Sequence, residues 1–214
     1  MKISVWHHAI LSGPRIPNED HTLAIFCEQM RALKESGLSR TADSVNIGLN
    51  GPDRDALTAL SMMPENARLH LHPAGQTEIP TLYCLRLSLE PGWLVLYHQM
   101  KGAQHPGEAL YEGWRHCMER ACVWNWLHCV TALQSGCDAC GCHWLTPEKY
   151  PQHVSSPYFG GTFWWAKSEY LMQLPPLPPD TWENRYEAES WIGRRRPYPR
   201  ITDFHPVFPG GGCA

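Results

Sequence analysis

The sequence predicts an α/β protein whose mostly parallel sheet is covered by helices on both faces. Three observations carry this. Strand-like and helix-like segments alternate from the first residues through Cys142, which is the rhythm of crossover connections between parallel strands. The run GWLVLYHQMKG is apolar without alternation and bounded by glycines, as expected of a strand buried on both faces. No internal repeat or linker-like tract interrupts the 214 residues, so one domain over 1–214 is expected, with 194–214 as an irregular tail packed on or near the active site.

KISVWHHAIL opens with β-branched residues at Ile3 and Val5 and reads as the first strand. From Glu19 to Ser36, Leu23, Phe26, Met30 and Leu33 recur at helical spacing, with Asn18 as N-cap and Gly37 as stop. Val45, Ile47 and Leu49 alternate in a second strand that ends at Asn50-Gly51-Pro52. A short helix over 53–62 and a third strand over 67–72 follow. EIPTLYCLRLSL (78–89) carries a proline where a first helical turn tolerates it and feeds the central strand. One long helix is predicted from Gly107 to Gln134, stopped by Gly136. CDACGCHWL follows as a short buried strand, then a glycine turn and a helix over 167–174. The proline-rich PPLPPD is a stiff connection to a last helix in NRYEAESWIG.

A formal charge of −3 and a pI of 6.4 exclude a polycation drawn to phosphate backbones as a whole molecule. No apolar stretch approaches the roughly 20 residues of a membrane span, and MKISVWHHAILSG lacks the core of a secretion signal. A cytoplasmic protein with nine reduced cysteines is therefore expected.

In parallel sheets of this kind ligands bind outside the carboxyl ends of the strands, so polar residues there are the candidates. After the apolar run come Tyr97, His98 and Lys101, where an imidazole and an ammonium suit phosphate oxygens. The alternative is a solvent-facing lysine and a histidine that satisfies a loop carbonyl. Glu187 and Glu189 stand two apart on a helix and point to different faces, so only one reaches a given site; the alternative is a solvated face paired with Arg185. Gly160-Gly161 before Thr162-Phe163-Trp164-Trp165 lets a ligand approach the backbone beside an aromatic wall, or else makes a tight turn into core aromatics. The cluster Cys137, Cys140, Cys142 and His143 crowds four potential zinc ligands into seven residues, whereas structural zinc takes two separated pairs. The blander reading is a strand of small apolar side chains, with Asp138, His143 and Trp144 at its crevice end.

Four blocks in order resemble small GT-A-type glycosyltransferases, a Rossmann-like fold that uses nucleotide sugars. These are SGLSRTADSVNIGLNG, EIPTLYCL with VLYHQMKG, WRHCMERACVWNWLHCVTALQSGCDACGCHW, and PYFGGTFWWAKSEYLMQLP with RYEAESWIG. The resemblance spans about residues 1 to 193 and is similar to bacterial and viral polysaccharide-type transferases. It implies transfer of a sugar from a nucleoside-diphosphate sugar to an acceptor hydroxyl on a glycan, a small molecule or a modified DNA base. By the same resemblance Glu189 is the base of an inverting displacement. His98, Lys101, His7 and Arg194 would hold the donor diphosphate, and Gly160, Gly161, Trp165, Trp144 and Glu187 the sugar or acceptor.

The sequence departs from that family at HQMK, where an Asp-x-Asp motif would hold Mn²⁺ or Mg²⁺ and no carboxylate is present. Lys101 supplies positive charge instead, or His98 with His205 or Asp203 holds a metal. Two competing functions stay open. One is the same transfer onto a hydroxymethylated base in DNA, for which Arg194, Arg195 and Arg196 and the ten tryptophans are suited. The other is a zinc-binding interaction module on the cysteine cluster.

Overall fold

Four strands form the parallel half of the central sheet: β1 (Lys2–Ile10), β2 (Ser44–Asn50), β3 (Ala67–His72) and β4 (Trp93–Gln99). The computed structural model describes residues 2–148 and 156–205. β5 (Ala139–Gly141), β8 (Trp164–Lys167) and β9 (Ile201–Asp203) complete a seven-stranded sheet of order β3-β2-β1-β4-β8-β5-β9, in which β8 alone runs against its neighbours. β6 (Trp144–Leu145) and β7 (Tyr158–Phe159) pair as a separate antiparallel ribbon. The predicted mostly parallel, two-faced Rossmann-like sheet is the fold observed.

Three helices of the first half fall where the sequence periodicity places them, and the later ones differ from it. α1 (Glu19–Glu35) starts at Asn18, whose side-chain oxygen accepts the His21 N–H at 3.0 Å. α2 (Leu38–Thr41), α3 (Asp53–Met62) and α4 (Ile79–Leu87) complete the first half. The predicted helix over 107–134 is instead α5 (Ala109–Glu119), a π turn at Arg120–Trp124 and α6 (Trp126–Gln134). A π turn frees backbone carbonyls, and three here accept from side chains. The Trp165 indole donates to the Cys122 carbonyl at 2.8 Å, the Cys129 thiol to Ala121 at 3.5 Å, and the Asn125 amide to Arg120 at 2.7 Å. Hydrophobic spacing shows nothing of this, because an inserted residue leaves both flanking stripes intact. α7 (Ser168–Leu171) and α8 (Arg185–Glu189) are shorter than predicted, and α8 is flanked by 3₁₀ turns at Trp182–Asn184 and Trp191–Gly193.

The sheet separates two apolar layers by strand parity. Ile3, Val5, Ala9, Leu96 and Trp165 face α1 and the π turn, and Trp6, Val95, Tyr97 and Trp164 face α4, α7 and the 191–193 turn. The tail, predicted irregular, contributes β9, because the backbone of β5 would otherwise end the sheet unpaired. Asp138 N–H donates to the Arg200 carbonyl at 2.7 Å and its carboxylate accepts the Arg200 N–H at 2.9 Å, which seats the strand. Residues 206–214 of the predicted tail, with Cys213, lie outside the described residues. No helix among the described residues is long and apolar enough to cross a membrane.

Candidate functional site

The chain leaves β1 in one direction to build β2 and β3, then returns to place β4 on the other side of β1. The strand order reverses there, and at that switch point the carboxyl ends of β1 and β4 splay to leave a crevice. A cavity of about 370 Å³ occupies it. Ile10 ends β1 at its wall, Gln99 ends β4 and Met100 to Ala103 follow it, Gly75 to Glu78 lead into α4, and Arg185, Tyr186 and Glu189 come from α8.

Each wall is fixed from behind. The Asn50 amide, at the end of β2, donates to the Thr77 carbonyl at 2.7 Å. Asp180, in the proline-rich connection, accepts the Thr77 hydroxyl at 2.6 Å and its N–H at 3.2 Å. On the β4 side, the Gln99 amide donates to the Gly161 carbonyl and the Thr162 hydroxyl, each at 3.3 Å. Arg115, 3% exposed, bonds the Lys101 carbonyl at 3.3 Å and the Glu28 carboxylate at 3.0 Å. The Lys101 ammonium lies 4.2 Å from the Trp114 ring centroid and 5.4 Å from that of Tyr111.

Three ionisable groups in the cavity act on one another. Burial, and beyond it the charge of Glu189, pushes Glu78 up to about 8, although the Tyr97 hydroxyl bond and Lys101 work against this. Burial also raises Glu189, opposed by Lys101 and Arg185. Lys101 is lowered by burial while both carboxyls resist that shift. A carboxyl held near neutrality beside an ammonium suits proton transfer and the binding of a polyanion.

The expected site residues divide by strand parity. Lys101 and Glu189 line the cavity together. His7, His98 and Trp165 do not: they point to the α1 side and are completely buried. The His7 and His98 Nδ1 atoms lie 3.3 Å apart, and burial lowers both residues' pKa, His98 to about 3. These three expectations are corrected by one residue of register, since His8, Gln99 and Trp164 occupy the opposite face. His8 meets the cavity and bonds the Thr81 hydroxyl at 2.9 Å.

The remaining candidates stand elsewhere. Glu187 and Arg194 pair with each other at 3.5 Å. Gly160 and Gly161 serve close packing: a Cβ on Gly160 would come 2.9 Å from Leu145, and one on Gly161 2.6 Å from the Met118 sulfur. Trp144 packs on Phe159 at 4.7 Å, and its N–H donates to Asp203 at 2.9 Å. Sequence reasoning placed Tyr97 at the strand end without giving it a role, and did not select Glu78. The available signal was Tyr97's parity with Gln99, together with the proline that marks Glu78 as the residue before a helix.

Neither metal expectation assembles. His98 is sealed against His7, while His205 stacks beside His143 at 4.1 Å and Asp203 is held by the Trp144 and His205 N–H groups. Cys137, Cys140 and Cys142 are free thiols spread through the packing: Cys140 donates to the Cys129 carbonyl at 3.6 Å and Cys137 meets the Thr202 hydroxyl at 2.9 Å. They fill the sheet as small hydrophobes rather than a zinc site. Cys117, His143 and His205 bring their ligand atoms within 4.8 Å of one another, a grouping that spacing along the sequence does not show. In the cavity an ammonium stands beside the two carboxyls, and the one group of three metal-ligating side chains among the described residues, Cys117, His143 and His205, lies outside its lining.

Comparison with known proteins places the fold and the family. A mycobacterial protein of known structure superposes with a TM-score of 0.52 at 14% identity, over 94% of this chain and 63% of that one. Rv0371c from Mycobacterium tuberculosis gives 0.49 at 10% identity over 94% and 87% of the two chains. A 4-diphosphocytidyl-2C-methyl-D-erythritol synthase from Anaerococcus prevotii gives 0.45 at 16% identity over 80% and 72%. A search of curated proteins finds no match to the sequence. Residues 11–206 match the family described as a domain of unknown function, DUF8361, and the chain belongs to that family.

Proposed function

We propose that this chain is a glycosyltransferase that moves a sugar from a nucleoside-diphosphate sugar to an acceptor hydroxyl by an inverting single displacement. The observation that supports this reading most is the switch-point cavity, where one ammonium, Lys101, is coupled to two carboxyls, Glu78 and Glu189. In this reading the acceptor oxygen forms a bond to the anomeric carbon as the bond from that carbon to the diphosphate oxygen breaks. The electron pair leaves with the diphosphate, and the acceptor proton passes to Glu189. Burial raises the proton affinity of that carboxylate, which suits a general base. Lys101 neutralises the leaving diphosphate from a wall that excludes much of the surrounding water.

Glu189→Gln keeps the shape of the side chain and removes the base. Turnover should fall on the order of 10²- to 10⁴-fold while donor affinity, measured by calorimetry, stays within a few-fold. Retained turnover would remove Glu189 from this role. A second reading, nucleotidyl transfer from a nucleoside triphosphate, is favoured by the three cations Arg15, Lys101 and Arg185 around the cavity. Product analysis separates the two readings: glycosyl transfer releases a nucleoside diphosphate, and nucleotidyl transfer releases pyrophosphate.

A further inference from the structure

Glu78 stands at the N-terminus of α4, where a carboxylate ordinarily bonds a free N–H of its own helix. It makes no such bond. Thr77 does so instead, its hydroxyl oxygen accepting the Ile79 N–H at 3.2 Å. The Glu78 side chain turns away to the cavity wall, is 7% exposed, and accepts the Tyr97 hydroxyl on Oε2 at 2.8 Å. Tyr97 is itself fully buried and stacked on Trp164, with centroids 5.2 Å apart, so the hydroxyl that orients Glu78 has little freedom. One oxygen is thus fixed and the other is left to the cavity. Burying a carboxyl with a single protein hydrogen bond is costly, and structures retain such groups where a ligand completes them.

Resting on the glycosyl-transfer reading, we propose that Glu78 is a specificity-determining residue that hydrogen-bonds a hydroxyl of the donor sugar, with Tyr97 as its positioning residue, and that the site takes neutral sugars and rejects uronic acids. Glu78 and Glu189 share one small cavity, and the charge of Glu189 already opposes the ionisation of Glu78. A third carboxylate on the sugar would add to that repulsion, whereas a hydroxyl donates to one carboxyl and accepts from the other when it holds a proton. The diphosphate is left to Lys101.

The test uses calorimetry on the full chain with UDP, GDP, CDP, ADP and dTDP, each alone and as the glucose conjugate, and with UDP-glucuronic acid against UDP-glucose. Glu78→Ala should weaken the glucose conjugate roughly ten-fold or more and leave the bare diphosphate within two-fold. Glu78→Gln, which still offers a donor and an acceptor, should restore most of that loss. Tyr97→Phe should give a smaller loss of the same kind and tolerate the glucuronic acid conjugate no better. Equal losses for diphosphate and conjugate in Glu78→Ala would mean that Glu78 reads the nucleotide, and an unchanged conjugate would mean that it reads neither; either overturns the proposal. Glucuronic acid binding as tightly as glucose overturns it as well. If no nucleotide binds the wild-type chain, the glycosyl-transfer reading itself falls and this inference with it.

Discussion

At the scale of single residues, position along a strand decides what a side chain can do. Gly161, at a φ of +86°, adopts a conformation that favours glycine, and a Cβ there would press on Met118 while lying 3.7 Å from the Lys101 stem. Gly161→Ala should therefore cost about 1–3 kcal/mol in urea unfolding and weaken nucleotide binding, because the strain is relieved by moving the turn that abuts Lys101. Unchanged stability would mean that the turn has another low-energy arrangement. Lys101 was legible in the sequence because it follows a strongly patterned strand, and Glu189 because its ESWIG block resembles that of GT-A transferases. His98, His7 and Trp165 misled because residue type draws attention to a position but parity assigns its face. Glu78 was hidden because its placement depends on Thr77 taking the helix-capping bond, a substitution of partners that only coordinates reveal.

At the scale of elements, the π turn between α5 and α6 ties the helical layer to β8. Its Cys122 carbonyl depends on the Trp165 indole. Trp165→Phe removes that donor and leaves a buried carbonyl unsatisfied, so the midpoint of urea unfolding should fall by the equivalent of about 1–3 kcal/mol. Ligand affinity should not change, since Trp165 faces away from the cavity; a selective loss of sugar binding would restore the sequence-based expectation that this tryptophan lines the site. The strands and the first helices were readable because long amphipathic periods and β-branched runs dominate them. The π turn, the 3₁₀ turns and β9 were not, because they are made by tertiary partners: an indole from β8, the short return after Asp180, and the open edge of β5.

At the scale of the whole molecule, buried ionisable groups on both faces of the sheet set an optimum of pH. His8 and His98, lowered from 6.5 to about 3, and His7, held well below 6.5 by burial and by His98, stay neutral in the fold, whereas the unfolded chain takes up protons as pH drops below 6.5. Each such histidine lowers stability by up to about 1.4 kcal/mol per pH unit in that window. Glu78 and Glu119, raised from 4.5 to about 8, act oppositely: the fold keeps protons that the unfolded chain releases, so stability falls as pH rises between those values. His70, His72 and His143 are lowered as well and Glu189 is raised, so six lowered histidines outweigh three raised glutamates below 6.5, and the glutamates dominate above it. Urea midpoints should therefore peak near pH 6.5 and decline at pH 5 and pH 8, and a monotonic rise from pH 5 to 8 would contradict this balance. The same cavity carries the central claim, and nucleoside-diphosphate binding to wild type and Lys101→Ala tests it most directly. The account predicts that one nucleoside diphosphate raises the wild-type Tm in a concentration-dependent way, and that the Lys101→Ala chain, folded by circular dichroism, loses most of that shift. A shift of the same size in both proteins would place the nucleotide away from the switch-point cavity and contradict the account.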